Sequence, residues 1–113
     1  MQYLATIYTD DQADGAPMLG EYMAFSAAAA EAGVMVGGDE LAPVSAATTV
    51  RVRGDETLVT DGPFAELKET LGGYFVFECA TIDEACEWAA KIPGARHGAI
   101  EVRPVHVDEE EQS

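Results

Sequence analysis

Cationic residues are scarce in this chain: 6 lysines and arginines in 113 residues face 21 aspartates and glutamates, for a formal net charge of −15 at pH 7. Such a field repels phosphate backbones and anionic headgroups, so neither nucleic acid nor a membrane surface is an expected partner. Cysteine is almost missing too. Cys79 and Cys86 show no Cys-x-x-Cys spacing, and neither a disulfide framework nor a thiolate metal site is expected. The imidazoles are His97 and His106 alone, one in an apparent turn and one near the C-terminus, and they read as surface residues rather than acid–base groups or metal ligands. No window approaches a membrane span, and Met1-Gln2-Tyr3-Leu4-Ala5-Thr6 lacks the basic region and apolar stretch of a signal peptide, so the expected location is cytoplasmic. No serine sits in a nucleophile elbow and no glycine pair has the pattern of a phosphate loop. No metal or cofactor is expected, and no internal repeat or linker is evident.

What is present is ordinary globular material, 48% hydrophobic and 24% charged. The length suits one domain, placed at residues 1–107 and followed by an acidic tail, 108–113, that reads as hydrated and disordered. The remaining acidity reads as a solvated surface of the kind that suits high salt. A domain this small hides a limited share of its surface, which makes self-association an economical way to bury more.

Residues 2–9 are rich in aromatic and β-branched types and form a first expected strand. Asp14-Gly15-Ala16-Pro17 offers a helix start, with Met18, Tyr22, Phe25, Ala29 and Ala32 at helical spacing and Gly33 to close it. Val34-Met35-Val36 begins a second strand. From Thr48 to Thr60 the pattern alternates, broken by Gly54-Asp55, and predicts a hairpin with Thr48, Val50 and Val52 on one face and Thr49, Arg51 and Arg53 on the other. Ala65 to Glu69 is expected to make one helical turn before Gly72-Gly73. Tyr74 to Ala80 forms a strand apolar on both faces, with Phe75, Phe77 and Cys79 on one side. Thr81-Ile82-Asp83-Glu84 matches a capping box that opens a second helix with Ala85, Trp88, Ala89 and Ile92 as its apolar stripe, ended by Pro93-Gly94. A last strand runs from about Ala99 to Val107.

This order predicts a ferredoxin-like α+β sandwich, an antiparallel sheet with two helices on one face. The other face must be polar or be covered by another chain, and Tyr74 and Val76 argue for cover. A sheet-to-sheet homodimer, a dimeric α+β barrel with a cleft between the layers, meets that need.

Asp61-Gly62-Pro63-Phe64 brings a resemblance into view. Together with Ala32-Gly33-Val34, Gly37-Gly38, Thr49-Val50-Arg51, Val59-Thr60, Leu71-Gly72-Gly73-Tyr74, Glu87-Trp88-Ala89-Ala90, Ile92-Pro93 and Glu101-Val102-Arg103-Pro104, this motif resembles the DGPF-domain members of the YCII-related family. The resemblance implies a dimeric α+β barrel with a cleft. It also implies a His and Asp pair in the wider family, with a relative that removes chloride from a lactone, but Glu21 or Tyr22 stands here where the histidine is expected, so that pair is not carried over. A link to sigma-factor regulation is implied as well, since genes for DGPF proteins often lie beside those for extracytoplasmic-function sigma factors.

Six residues are candidates for a site that takes a small, anionic organic molecule. Asp61, after a strand and before Gly-Pro, is the candidate proton acceptor; the alternative is a turn cap bonded to nearby N–H groups. Glu101 and Arg103 share a strand face, and the planar guanidinium of Arg103 is the better anion anchor; a surface ion pair or dimer contact is the alternative. Tyr8, Tyr22 and Phe64 are substrate-binding candidates whose alternatives are core-edge packing and turn scaffold. The expected function is cofactor-free acid–base chemistry on an organic acid or lactone, or else ligand sensing or partner binding without catalysis.

Overall fold

The computed structural model describes residues 1–10 and 19–107. Asp14 to Met18, read as the start of the first helix, and the acidic tail lie outside the described residues. Within them the order is β1 (Gln2–Asp10), α1 (Leu19–Glu31), β2 (Met35–Glu40), β3 (Thr48–Arg53), β4 (Glu56–Asp61), β5 (Glu69–Glu78), α2 (Ile82–Ala89) and β6 (Ala99–Pro104), with 3₁₀ turns at Val44–Ala46 and Pro93–Arg96. β2, β5, β1 and β6 lie side by side in that order as one antiparallel sheet. β3 and β4 form a separate two-stranded ribbon.

One face of the sheet meets both helices. Tyr3, Ala5 and Ile7 of β1 and Phe77 of β5 are buried against Phe25 and Ala29 of α1 and Ala85 and Ala89 of α2. The Phe25 ring stands edge-on to Phe75 and Trp88 at centroid separations of 5.1 and 6.2 Å, the offset that aromatic quadrupoles favour. The period-two burial of β1 and the phenylalanines of β5 thus set one apolar layer, and the small alanines of the helices let the two layers approach. This is the expected ferredoxin-like α+β fold, with a hairpin inserted between β2 and β5. No helix is long and apolar enough to cross a membrane among the described residues.

Local chemistry accounts for the ends of the helices. Gly33 takes a φ of 77° directly after α1, the left-handed conformation that a glycine adopts without strain. Thr81 caps α2, its hydroxyl accepting from the Glu84 N–H at 3.2 Å. The reciprocal half of the capping box is replaced: the Glu84 carboxylate interacts with the buried Cys79 thiol, and burial and that neighbour push the thiol up to about 11.

Three expectations need correction. Ala65 to Glu69 forms no helical turn, and β5 starts at Glu69 rather than Tyr74. Gly72 and Gly73 do not interrupt the strand, and Gly73 admits a close neighbour, for a Cβ there would lie 3.0 Å from the Asp39 carbonyl oxygen of β2. A register shift between Ile7 and Tyr8 of β1 opposite this pair absorbs the extra residue. β6 ends at Pro104 instead of Val107, with one last bond to β1 from the Val105 N–H to the Gln2 carbonyl at 2.9 Å.

Candidate functional site

The sheet face turned away from the helices is built by register. Asp39, Tyr74, Thr6 and Glu101 are successive partners across β2, β5, β1 and β6, a polar row about 14 Å long from three strand spacings of about 4.8 Å. The neighbouring row runs Gly37, Val76, Leu4 and Arg103. On the other side Leu71, Tyr8 and Ala99 are partnered. Leu4, Thr6, Tyr8, Tyr74 and Val76 are only half-buried, so hydroxyls and carboxylates stand between apolar flanks on an open surface.

Glu101 and Arg103 lie on this face, as their two-residue spacing requires. Their ion pair is loose, Arg103 Nε to Glu101 Oε1 at 3.9 Å, and both side chains are exposed. An exposed pair at this distance contributes little to stability and leaves most of the guanidinium fork open. Among the described residues Arg103 is the one cation on the four strands of the sheet. Tyr8 joins the same surface at its end.

Tyr22 sits elsewhere, in the helical layer. Its hydroxyl accepts from the Gly94 N–H at 3.1 Å, which ties α1 to the 3₁₀ turn before β6, and burial raises its phenol above the ordinary value. Glu21 beside it bonds Arg96 of the same turn at 2.7 Å. The packing is tight here, for a Cβ on Gly94 would stand 2.7 Å from Tyr22 Oη.

Asp61 ends β4 and is exposed. Its carboxylate makes no hydrogen bond or ion pair with the described residues. The turn that follows is held instead by the Gly62 N–H on the Ala47 carbonyl at 2.7 Å and by the Thr49 hydroxyl on the Gly62 carbonyl at 2.8 Å, with Gly62 at a φ of 98° that suits glycine. Phe64, two residues on, is 73% exposed. Asp61 and Phe64 belong to the hairpin and its root, whose principal contact with the sheet is the Val44–Ala46 turn against β5. The single chain therefore gathers Glu101, Arg103 and Tyr8 on one face, and sets Asp61 and Phe64 on an arm and Tyr22 behind the sheet.

Two hollows lie in the helical layer. One, of about 360 Å³, runs between α1 and α2 and includes Phe25, Trp88, Lys91 and Arg96; Lys91 Nζ stands 4.4 Å from the Trp88 ring centroid. The other, of about 240 Å³, lies between α2 and β6 and includes Cys86. No three His, Cys, Asp or Glu side chains gather as a metal-binding set among the described residues. Asp39, Tyr74 and Thr6 were not legible as site residues from local spacing, because only the pairing of distant strands puts them in one row.

A family model described as YCII-related domain matches residues 1–107. An uncharacterized protein of Rhizobium meliloti (strain 1021) is 44% identical over 77 residues, covering 66% of this chain and 62% of that protein. The chain thus matches less than two thirds of that relative's length. Among solved structures, 5-chloro-2-hydroxyhydroquinone dehydrochlorinase from Burkholderia phenoliruptrix AC1100, in complex with 2,5-dihydroxybenzoquinone, superposes with a TM-score of 0.55 at 14% identity, covering 97% of this chain and 98% of that one. At that identity the likeness is one of fold.

Proposed function

We propose that this chain, which belongs to the YCII-related family, works as a homodimer whose open sheet faces meet and hold a small anionic organic molecule between them. Arg103 anchors the anionic group and Asp61 accepts a proton from an acidic C–H or O–H of the bound acid or lactone, with no cofactor. The observation that carries this reading is the polar row Asp39, Tyr74, Thr6 and Glu101 set beside a loosely paired arginine, with Leu4, Val76, Tyr8 and Leu71 on either side of the row. Enclosed between two sheets, such groups bind far more strongly than on an open surface, because water no longer screens them. The guanidinium suits a carboxylate or enolate bidentately. The charge left by proton transfer to Asp61 is then held where a cation already stands.

A second reading, ligand sensing or partner binding linked to sigma-factor regulation, is favoured by one observation. Neither histidine stands on the four strands of the sheet: His97 follows the 3₁₀ turn, its backbone N–H on the Gly94 carbonyl at 3.1 Å, and His106 lies beyond β6. A face whose strands carry no imidazole suits binding more than turnover.

Calorimetric titration with 2,5-dihydroxybenzoquinone, the ligand of the structural neighbour, separates the two when paired with C–H exchange measured by NMR in heavy water. Binding that is lost in Arg103→Gln, with exchange that is lost in Asp61→Asn, supports the enzyme. Binding without exchange in the wild type replaces it with the sensor. A protein that neither binds nor dimerises overturns both.

A further inference from the structure

Among the described residues the hairpin arm pairs with no strand of the four-stranded sheet. β3 and β4 pair in register from Thr48 opposite Asp61 to Arg53 opposite Glu56, closed by Gly54 at a φ of 61° in the first position of a two-residue loop, as a II′ turn requires. Every residue of both strands is exposed except Thr49, which is half-buried. Yet the two faces of the ribbon are chemically unlike. One carries Arg51, Arg53, Leu58, Glu56 and the threonines 49 and 60; the other carries Val50, Val52 and Val59 with Thr48, Thr57 and Asp61. The three valines are 60%, 60% and 65% exposed. A lone two-stranded ribbon is marginal in water, and three valines on one side of it mark a surface built to be covered.

The cover can be identified from size, charge and symmetry. A strand of 6 residues spans about 20 Å, whereas the four-stranded sheet is about 14 Å across its strand axes, so one arm can cross all four strands of a second copy's open face. The valine face bears one charged group, Asp61. The open sheet face bears one cationic side chain among the described residues, Arg103, set among the carboxylates of Asp10, Asp39, Glu69, Glu78 and Glu101, so Arg103 is the one side chain there that attracts Asp61. Two-fold symmetry satisfies both unpaired surfaces twice with a single contact type, since each chain offers an arm and an open face. Arg51 and Arg53, 2 of the chain's 6 cations, then point away from the valine contact, where they offset the repulsion between two strongly acidic chains.

We infer that each arm crosses the end of the partner's open sheet face that bears Arg103, with its valines down, so that Asp61 of one chain faces Arg103 of the other, the rest of the two faces meet, and every site is completed by both copies. This inference rests on the sheet-face dimer proposed above and adds the origin of its two charged groups. Phe64, exposed at the root of the arm, is carried towards the same cleft and forms part of its wall. A ligand anion on Arg103 is thereby placed beside the carboxylate that takes its proton.

Charge exchange tests the inference without a ligand. Asp61→Arg and Arg103→Asp each place two like-charge contacts in a homodimer, but a heterodimer of the two variants restores both opposite-charge contacts. Both side chains are exposed in the single chain, so neither change disturbs its fold, which circular dichroism confirms. The variants are co-refolded from urea in equal amounts and weighed by native mass spectrometry. Heterodimers are expected to reach roughly nine in ten of all dimers, as desolvated interfacial charge pairs allow. A statistical half overturns the inference, because it means that the two residues meet within one chain or not at all. A wild-type protein that sediments as a monomer overturns the sheet-face dimer itself; a wild-type dimer with statistical mixing removes only the composite site.

Discussion

Replacing Val50 and Val59 together by threonine probes the cover of the arm directly. In the single chain these side chains are 60% and 65% exposed, and threonine is as much at home in a strand as valine, so the ribbon itself should lose almost nothing. Beneath a partner the same exchange puts a hydroxyl without a hydrogen-bond partner where a methyl was buried, which costs about 1–2 kcal/mol per site. Two sites on each of two arms add to about 4–8 kcal/mol, which raises the dimer dissociation constant by about three to six powers of ten. Sedimentation equilibrium over a wide concentration range gives the dissociation constant, and far-ultraviolet circular dichroism checks that the chain remains folded. An unchanged constant in the folded double variant would refute the reasoning, since the valines would then be exposed in the assembly as they are in the single chain.

Three further outcomes follow from the packing of the single chain. Gly94→Ala places a methyl 2.7 Å from Tyr22 Oη and 2.9 Å from Ile7 Cγ2, and denaturant melts should show a loss of about 1–3 kcal/mol. Thr81→Ala removes the cap on the Glu84 N–H and should cost about 1 kcal/mol, read in the same assay. The Cys79 thiol is pushed up to about 11 from 9.0 by burial and the Glu84 carboxylate; its folded value lies above its unfolded one, so its contribution is complete below pH 9.0 and is lost as pH rises through about 11. Melts across that window should fall less steeply in Cys79→Ala, while Tyr22, raised in the same direction by burial, keeps part of the slope.

The local parts of this fold were legible because they are written in neighbouring residues. The Thr81 cap, the Gly33 helix end and the alternation of valines and arginines in the hairpin each depend on spacings of a few positions, and the structure has them where chemistry puts them. The start of β5 was not legible, because Gly72-Gly73 looks like a break and acts as a close-approach site for the Asp39 backbone. The reciprocal Glu84 contact was missed for a similar reason, since Cys79 competes for the carboxylate. Glu101 and Arg103 share a face by their two-residue spacing alone. Asp39 and Thr6, by contrast, reach the same surface only through the pairing of β2 with β5 and β5 with β1, which no local pattern records. Tyr22 illustrates the converse: an amphipathic residue on a helix can serve a site or a joint, and the Gly94 N–H makes it a joint.

Native mass spectrometry in the presence of benzoate, salicylate and 4-hydroxybenzoate reads oligomeric state and ligand count together, and so tests most directly whether two copies enclose a site for small anions. The expected spectrum is a dimer that carries two copies of at least one of these acids, with the bound mass lost in Arg103→Gln while the dimer remains. A monomer, or a dimer whose bound acid survives Arg103→Gln unchanged, would contradict it.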